Sequence, residues 1–187
     1  MPDISDAITN YIRAKDGNRP WLMPLAFTKD ARLEMVVKTD AISFPSTATG
    51  VDEITEILVR WFARETENIY TFGLSSPPGG YHRRYRCDWL VGMSRSDNGQ
   101  VRVGCGRYDW SFANPEDMRA DELKITIETM QVLAPDELRP VMNWLSQLSY
   151  PWCAATAAVT HLPDLDELRP ISDYLQSVPE TGYSPGD

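Results

Sequence analysis

The order of apolar and polar positions along the chain predicts helices first and strands afterwards. Near the N-terminus, apolar side chains recur every three or four residues and form one face of a helix: Ile4, Ile8, Tyr11 and Ile12. We expect this helix to end near residues 16–18. A shorter helix that reaches Phe27 should begin at Pro20, since proline suits the first turn of a helix. A third helix follows Gly50, where a second apolar stripe occurs: Ile54, Ile57, Leu58 and Trp61.

Alternating patterns predict strands elsewhere. The run ARLEMVV at 31–37 alternates like a strand with one buried side. After Asn68 the chain is rich in β-branched and aromatic residues, and turn sequences such as PPGG and DNG interrupt it. We predict four strands there, near residues 69–75, 83–95, 100–113 and 121–132. Gly104 and Gly106 indicate a bulge or bend within the third of these strands.

The C-terminal part repeats one phrase. DELRPVMNWL at 136–145 and DELRPISDYL at 166–175 are nearly the same, and two copies are too few for a repeat array. We therefore predict two short helices that pack on the rest of the protein, with Pro140 and Pro170 near their first turns. This divides the chain into a domain at 1–133 and a helical extension at 134–187, packed on the domain or on a dimer interface.

Composition narrows the function. Eighteen basic against 27 acidic residues give a net charge of −9, the wrong sign for binding nucleic acid or an anionic membrane surface. Two histidines and three scattered cysteines, Cys87, Cys105 and Cys153, predict neither a metal site nor a disulfide framework. No phosphate-binding loop or dinucleotide fingerprint occurs, so we expect no cofactor. The N-terminal sequence lacks the features of a signal peptide, and a cytoplasmic location is the expectation.

Two motifs support a resemblance to a known superfamily. Tyr11 precedes the Asp30-Ala31 pair at the spacing found in ketosteroid isomerases and SnoaL-like polyketide cyclases, and Gly50 resembles the glycine that opens their third helix. Together with the order of elements over residues 4–133, these motifs resemble the nuclear-transport-factor-2-like superfamily. The resemblance implies an α+β fold: a cystatin-like curved antiparallel sheet wraps around three N-terminal helices and forms a cone with a pocket. The helical extension lies outside the resemblance.

The resemblance also implies site residues. Ketosteroid isomerases use a tyrosine and a protonated aspartic acid as hydrogen-bond donors, and an aspartate as base. Tyr11 falls at the tyrosine position and Asp109 close to the donor aspartate. Met35 occupies the base position, and because a thioether cannot abstract a proton, ketosteroid isomerase chemistry itself is not expected.

Asp109 lies within the sequence GRYDWSF, in the middle of a predicted strand. Arg107 and Asp109 share a face with Val101 and Val103. If the valines face the interior of the cone, Asp109 continues that face towards the pocket. The alternative is that Asp109 pairs with Arg107 or with a neighbouring strand.

Tyr11 and His82 also have two interpretations each. Tyr11 could bury its ring in the core and find a structural partner for its hydroxyl, or donate a hydrogen bond to a ligand. His82 lies in a loop rich in arginine and glycine, which could be a mobile lid with His82 as a general base, or a solvated strand end.

The opposite face of the same strand carries three aromatic residues: Tyr108, Trp110 and Phe112. Such a patch must be covered if it lies on the outside of the sheet. We therefore predict a homodimer through this face, with the extension beside or around the interface.

Two functions of different class follow. The first is a protein that binds a small, largely apolar molecule through Tyr11, Met35, Trp61, Trp89, Arg107 and Asp109. The second is a cofactor-independent lyase, isomerase or cyclase, with Asp109 or His82 as acid or base and Tyr11 as hydrogen-bond donor.

Overall fold

The computed structural model of the chain describes residues 3–180. Its α-helices have the following bounds: α1 Ile4–Asp16, α2 Met23–Ala26, α3 Val51–Thr55, α4 Phe62–Glu65, α5 Leu138–Ser146, α6 Ala155–Thr160 and α7 Arg169–Ser177. A π-helical segment, Glu56–Trp61, joins α3 to α4, so residues 51–65 form the continuous third helix that the sequence predicted. None of the helices within residues 3–180 has the length and apolar character needed to cross a membrane.

Six strands form one curved sheet within the described residues. They are β1 Phe27–Val37, β2 Thr47–Thr49, β3 Thr66–Gly73, β4 Arg84–Arg95, β5 Val101–Ser111 and β6 Ala120–Leu133. The spatial order is β2-β1-β6-β5-β4-β3, in which only the β1–β6 pair is parallel. The long antiparallel strands from β3 to β6 therefore match the four predicted from the alternating pattern.

The glycines of β5 lie where the sheet is irregular. The pairing of β5 with β6 shifts register between Cys105 and Gly106, where an irregularity was predicted. The extra residue is Glu128 of β6 and not a residue of β5, since Cys105 pairs with Thr129 and Gly106 with Ile127. A Cβ atom on Gly106 would lie 1.9 Å from the carbonyl oxygen of Thr126. Only glycine lets the two backbones approach this closely.

One hydrophobic core fills the space between the N-terminal helices and the inner face of the sheet. It contains the apolar stripe of α1 together with aromatic side chains such as Phe27 and Trp110. The predicted α+β fold, a curved sheet around three N-terminal helices, is confirmed. Phe27 corrects one detail, since it begins β1 instead of ending the second helix. Its backbone is extended and pairs with Ala120 of β6, and its ring stacks on Trp110 at 5.7 Å.

A second core covers the outer face of the sheet. Val101, Val103 and Cys105 of β5 are buried there beneath side chains of α5 and α7. The contact with α5 is close, because a Cβ atom on Gly92 would lie 2.1 Å from Leu145 Cδ1. The two copies of the repeated phrase thus form α5 and α7, and both pack on the sheet as predicted. The division at residue 133 stays a prediction, and residues 181–187 of the extension lie outside the described range.

Candidate functional site

An apolar cavity lies between the N-terminal helices and the inner face of the sheet. Its volume, counted as the space that the centres of water molecules could occupy, is about 50 Å³. Fourteen side chains line it: Tyr11, Lys15, Met35, Ile42, Phe44, Leu58, Phe62, Trp89, Val91, Met93, Tyr108, Ile125, Ile127 and Met130. Only the two tyrosines, the lysine and the tryptophan carry an N–H or O–H group. An apolar wall with a few polar groups is typical of a site for a small organic molecule.

Helix α1 supplies two of the polar groups. Its first turn is fixed by a capping box, in which Asp3 accepts a hydrogen bond from the Ser5 backbone N–H and Asp6 accepts one from the Asp3 backbone N–H. Tyr11 and Lys15 are four residues apart and therefore lie on the same face of the helix, one turn from each other. Both side chains line the cavity.

Tyr11 and Tyr108 form a buried pair. Their rings meet edge to face with centroids 5.8 Å apart. Burial disfavours the charged phenolate and raises the pKa of both tyrosines far above the ordinary value for this side chain. Both hydroxyls therefore stay protonated at neutral pH, where they can donate hydrogen bonds.

Two more of the predicted ligand contacts, Trp89 and Met35, also line the cavity. The Trp89 ring stacks on Tyr108 with centroids 5.7 Å apart, and it lies against Gly106, where a Cβ atom would be 2.6 Å from Trp89 Cζ2. Its Nε1 is buried and has no hydrogen-bond partner among the residues that the structure describes. That Trp89 and Met35 contact a ligand stays a prediction.

The expectation that Asp109 lines the cavity is wrong. Asp109 lies on the outer face of β5, where its carboxylate pairs with Arg86 Nε of β4 at 2.5 Å and with Arg107 Nε at 3.4 Å. The alternative interpretation, an ion pair within the sheet, describes this position. Arg107 lies on the same outer face, away from the cavity lining. The physical reason is that the neighbouring aromatic residues occupy the inner face, and alternation sends Asp109 outwards.

The predicted dimer surface is also wrong. Tyr108, Trp110 and Phe112 are at most 2% exposed, and they pack against α1 and Phe27 inside a single chain. They cannot meet a second copy. A homodimer stays a prediction, and it would need a different surface.

Two further predicted site residues lie outside the cavity lining. His82 is in the loop between β3 and β4, and its Nε2 is 3.1 Å from the carbonyl oxygen of Gly79. Trp61 packs on Phe44, with ring centroids 5.8 Å apart, so it lies one layer behind the cavity wall. Within residues 3–180, no group of three or more His, Cys, Asp or Glu side chains is close enough together to hold a metal ion.

Sequence reasoning missed two polar residues of the cavity. Tyr108 was assigned to the outer face, because alternation separates two faces without saying which one meets the helices. Lys15 was overlooked, although its position four residues after Tyr11 places it on the same side of α1. That spacing was the signal that could have found it.

Comparison with known proteins supports the fold. No family model matches the chain, and no curated protein matches it. Among solved structures, a nuclear transport factor 2-like superfamily protein from Salmonella enterica is 19% identical, with 67% of this chain and 89% of that chain covered and a TM-score of 0.51.

Two other solved structures are similar over the same region. A hexachlorocyclohexane dehydrochlorinase from Novosphingobium barchaimii is 12% identical, with 70% of this chain and 88% of that chain covered and a TM-score of 0.55. A computationally designed 17-OHP binder is 11% identical, with 71% of this chain and 100% of that chain covered and a TM-score of 0.53. The chain has the nuclear transport factor 2-like fold, as the resemblance implied.

Proposed function

We propose that the chain binds a small, largely apolar molecule in the cavity between its N-terminal helices and the inner face of the sheet. The observation that carries the proposal is the lining, in which ten of fourteen side chains have no N–H or O–H group. Transfer of an apolar molecule from water into such a site is favourable, by about 25 cal/mol per Å² of apolar surface buried. The few polar groups can fix its orientation.

The polar groups of the cavity favour binding over acid–base chemistry. Tyr11 and Tyr108 hold their protons because burial raises the pKa of both, so they suit hydrogen-bond donation better than proton abstraction. The acid or base residues of the enzyme alternative, Asp109 and His82, are not among the lining residues. The same fold carries a site for a small molecule in the designed 17-OHP binder, which supports a binding role without naming the ligand.

Four matched ring compounds test the proposal: cyclohexane, cyclohexanone, cyclohexanol and cyclohexanecarboxylate. Ligand-detected NMR measures whether each binds to the purified wild-type chain. We expect at least one uncharged member of the set to bind. Val91→Phe, which fills the cavity from β4, should weaken that binding at least about tenfold, because the larger side chain takes the space of the ligand.

Val132→Phe is the matched control. Val132 is 40% exposed, so the same substitution there should leave binding unchanged. The proposal is contradicted if no compound binds to the wild type, or if both variants bind as well as the wild type. Native mass spectrometry of the gently purified protein adds the mass of any retained molecule and the number of chains in the particle, which tests the predicted homodimer.

A further inference from the structure

Lys15 is the one charged side chain among the described residues that line the cavity. It is only 7% exposed, in a wall whose other side chains carry no charge. Its Nζ lies 2.7 Å from Thr71 Oγ1 and 3.2 Å from Asp16 Oδ1, and 4.8 Å from the centre of the Phe62 ring. A charge is costly to bury unless it is paired, so the surroundings of this ammonium group determine which ligand the cavity accepts.

Asp16 balances the charge of Lys15. The side chain of Asp16 is 5% exposed, and its carboxylate accepts hydrogen bonds from the Thr71 backbone N–H and hydroxyl, each at 2.7 Å, and from the Tyr150 hydroxyl at 3.0 Å. Thr71 links the two charges, because its hydroxyl donates to Asp16 and accepts from Lys15. The pair is fixed in place and carries no net charge. A ligand carboxylate would therefore add a buried charge that nothing offsets.

One N–H of Lys15 remains for a group in the cavity. An ammonium group has three N–H donors. Within residues 3–180 its oxygen partners are Thr71 and Asp16, and the Phe62 ring, which also lines the cavity, is a cation–π contact that offers no oxygen. A hydrogen bond from a charged donor to a neutral oxygen is about twice as strong as one between neutral groups. Such an oxygen would satisfy the donor without changing the charge of the site.

We infer that Lys15 binds a neutral oxygen of the cavity's ligand, so the ligand is an uncharged apolar ketone, aldehyde or alcohol. The inference rests on the proposed function and specifies its ligand class. If Lys15 is purely structural and serves only Thr71 and Asp16, any preference for a ketone over a hydrocarbon of the same shape would come from Tyr11 or Tyr108 and would survive the replacement of Lys15. A lysine that acts as a counter-ion would prefer the carboxylate.

The four cyclohexyl compounds separate these roles. With the wild-type chain we expect cyclohexanone or cyclohexanol to bind about tenfold or more tightly than cyclohexane, as one charge-assisted hydrogen bond allows. Cyclohexanecarboxylate should bind more weakly than either. The inference is overturned if the carboxylate binds best, or if the oxygen compounds and cyclohexane bind equally. Binding by none of the four would instead contradict the proposed function itself.

Three variants test the role of the side chain. Lys15→Met removes the donor but keeps a chain of similar length, and it should abolish the advantage of cyclohexanone while cyclohexane binds as before. Lys124→Met is the matched control, since Lys124 is 44% exposed and pairs with Glu34 outside the cavity, and it should change nothing. An unchanged ranking in Lys15→Met would overturn the inference.

Asp16→Asn keeps the test decisive if Lys15→Met does not fold. This substitution leaves the charge of Lys15 without its balance, while the amide still offers an oxygen to Thr71. We expect the preference to move from cyclohexanone towards cyclohexanecarboxylate by about tenfold or more. A ranking identical to that of the wild type would show that Lys15 does not contact the ligand.

Discussion

The two faces of the sheet differ most clearly along β5. On the inner face, Tyr108 and Trp110 are almost completely buried, and the first of them lines the cavity. On the outer face, Arg107 and Asp109 are partly exposed and form ion pairs. Where α5 and α7 cover the outer face, the buried side chains of β5 are apolar, as at Val101 and Val103. Along β5, Arg107 and Asp109 therefore mark the part of the outer face that α5 and α7 leave partly exposed, and the aromatic residues mark the face that meets the N-terminal helices.

At alkaline pH the buried tyrosines of the inner face, Tyr11 and Tyr108, should lose their protons. We expect the protein to unfold completely as they do. Burial raises the pKa of Tyr11 and Tyr108 in the folded protein, so the unfolded chain loses these protons more easily. The stability that depends on this difference is fully present below the unfolded pKa of about 10. It is lost as the pH rises from there through the folded values.

Absorbance of tyrosinate and circular dichroism, measured together against pH, check this prediction. We expect the absorbance of the buried tyrosines to change only as the structure is lost. The double variant Tyr11→Phe and Tyr108→Phe has no buried hydroxyl to ionise. Between neutral and alkaline pH, its free energy of unfolding should therefore fall less than that of the wild type. Ionisation of every tyrosine at about pH 10 with unchanged circular dichroism would contradict the burial of the pair.

Removal of an inner-face aromatic ring is the next largest effect. Trp110 is 1% exposed, stacks on Phe27 and Phe112, and meets Tyr11 edge to face. Trp110→Ala should lower the free energy of unfolding by about 3–5 kcal/mol in urea denaturation. Trp21→Ala is the control, because Trp21 is 68% exposed and its loss should cost less than about 0.5 kcal/mol. Equal losses of unfolding free energy in the two variants would contradict the burial of Trp110 on the inner face.

The fold was more predictable from the sequence than the site. The spacing of Ile4, Ile8 and Ile12 predicts α1, and strict alternation predicts β5, because these patterns depend on local geometry alone. The site depends on which face of β5 meets α1, and alternation does not contain that information. Val101 and Asp109 share one face, so the apolar half of that face suggested the interior.

The C-terminal helices explain the misassignment. They bury Val101 and Val103 on the outer face, a contact between residues far apart in sequence that no local pattern of β5 predicts. Lys15 was hidden for a different reason. A lysine on a helix usually lies in solvent. The ion pair of Lys15 with Asp16 and its hydrogen bond to Thr71 depend on how α1 packs against β3.

A smaller loss of stability is expected for a contact between α7 and the outer face of the sheet. The Tyr174 hydroxyl of α7 donates to Asp88 Oδ1 at 2.6 Å and lies 2.9 Å from the carbonyl oxygen of Gly106. Asp88 is only 4% exposed, so Tyr174→Phe would deprive a buried carboxylate of a donor. The expected cost is about 1–3 kcal/mol in urea denaturation. Gln176→Ala, on the exposed side of the same helix, should cost less than about 0.5 kcal/mol.

The smallest effect should come from Asp109, the residue that sequence reasoning placed in the pocket. Asp109→Asn removes one charge from an ion pair whose side chains are 25% exposed for Asp109 and 48% exposed for Arg86. Solvent screens such a pair, so the loss in unfolding free energy should stay below about 1 kcal/mol. It should shrink further as salt is added.

The same variant decides whether the two faces act separately. Because Asp109 and the cavity lie on opposite sides of β5, Asp109→Asn should bind cyclohexanone with the affinity of the wild type. Val91→Phe, on the cavity side of the neighbouring strand, should not. If binding falls in both variants, the outer face is coupled to the cavity. If Asp109→Asn keeps the affinity of the wild type and Val91→Phe loses it, ligand recognition belongs to the inner face.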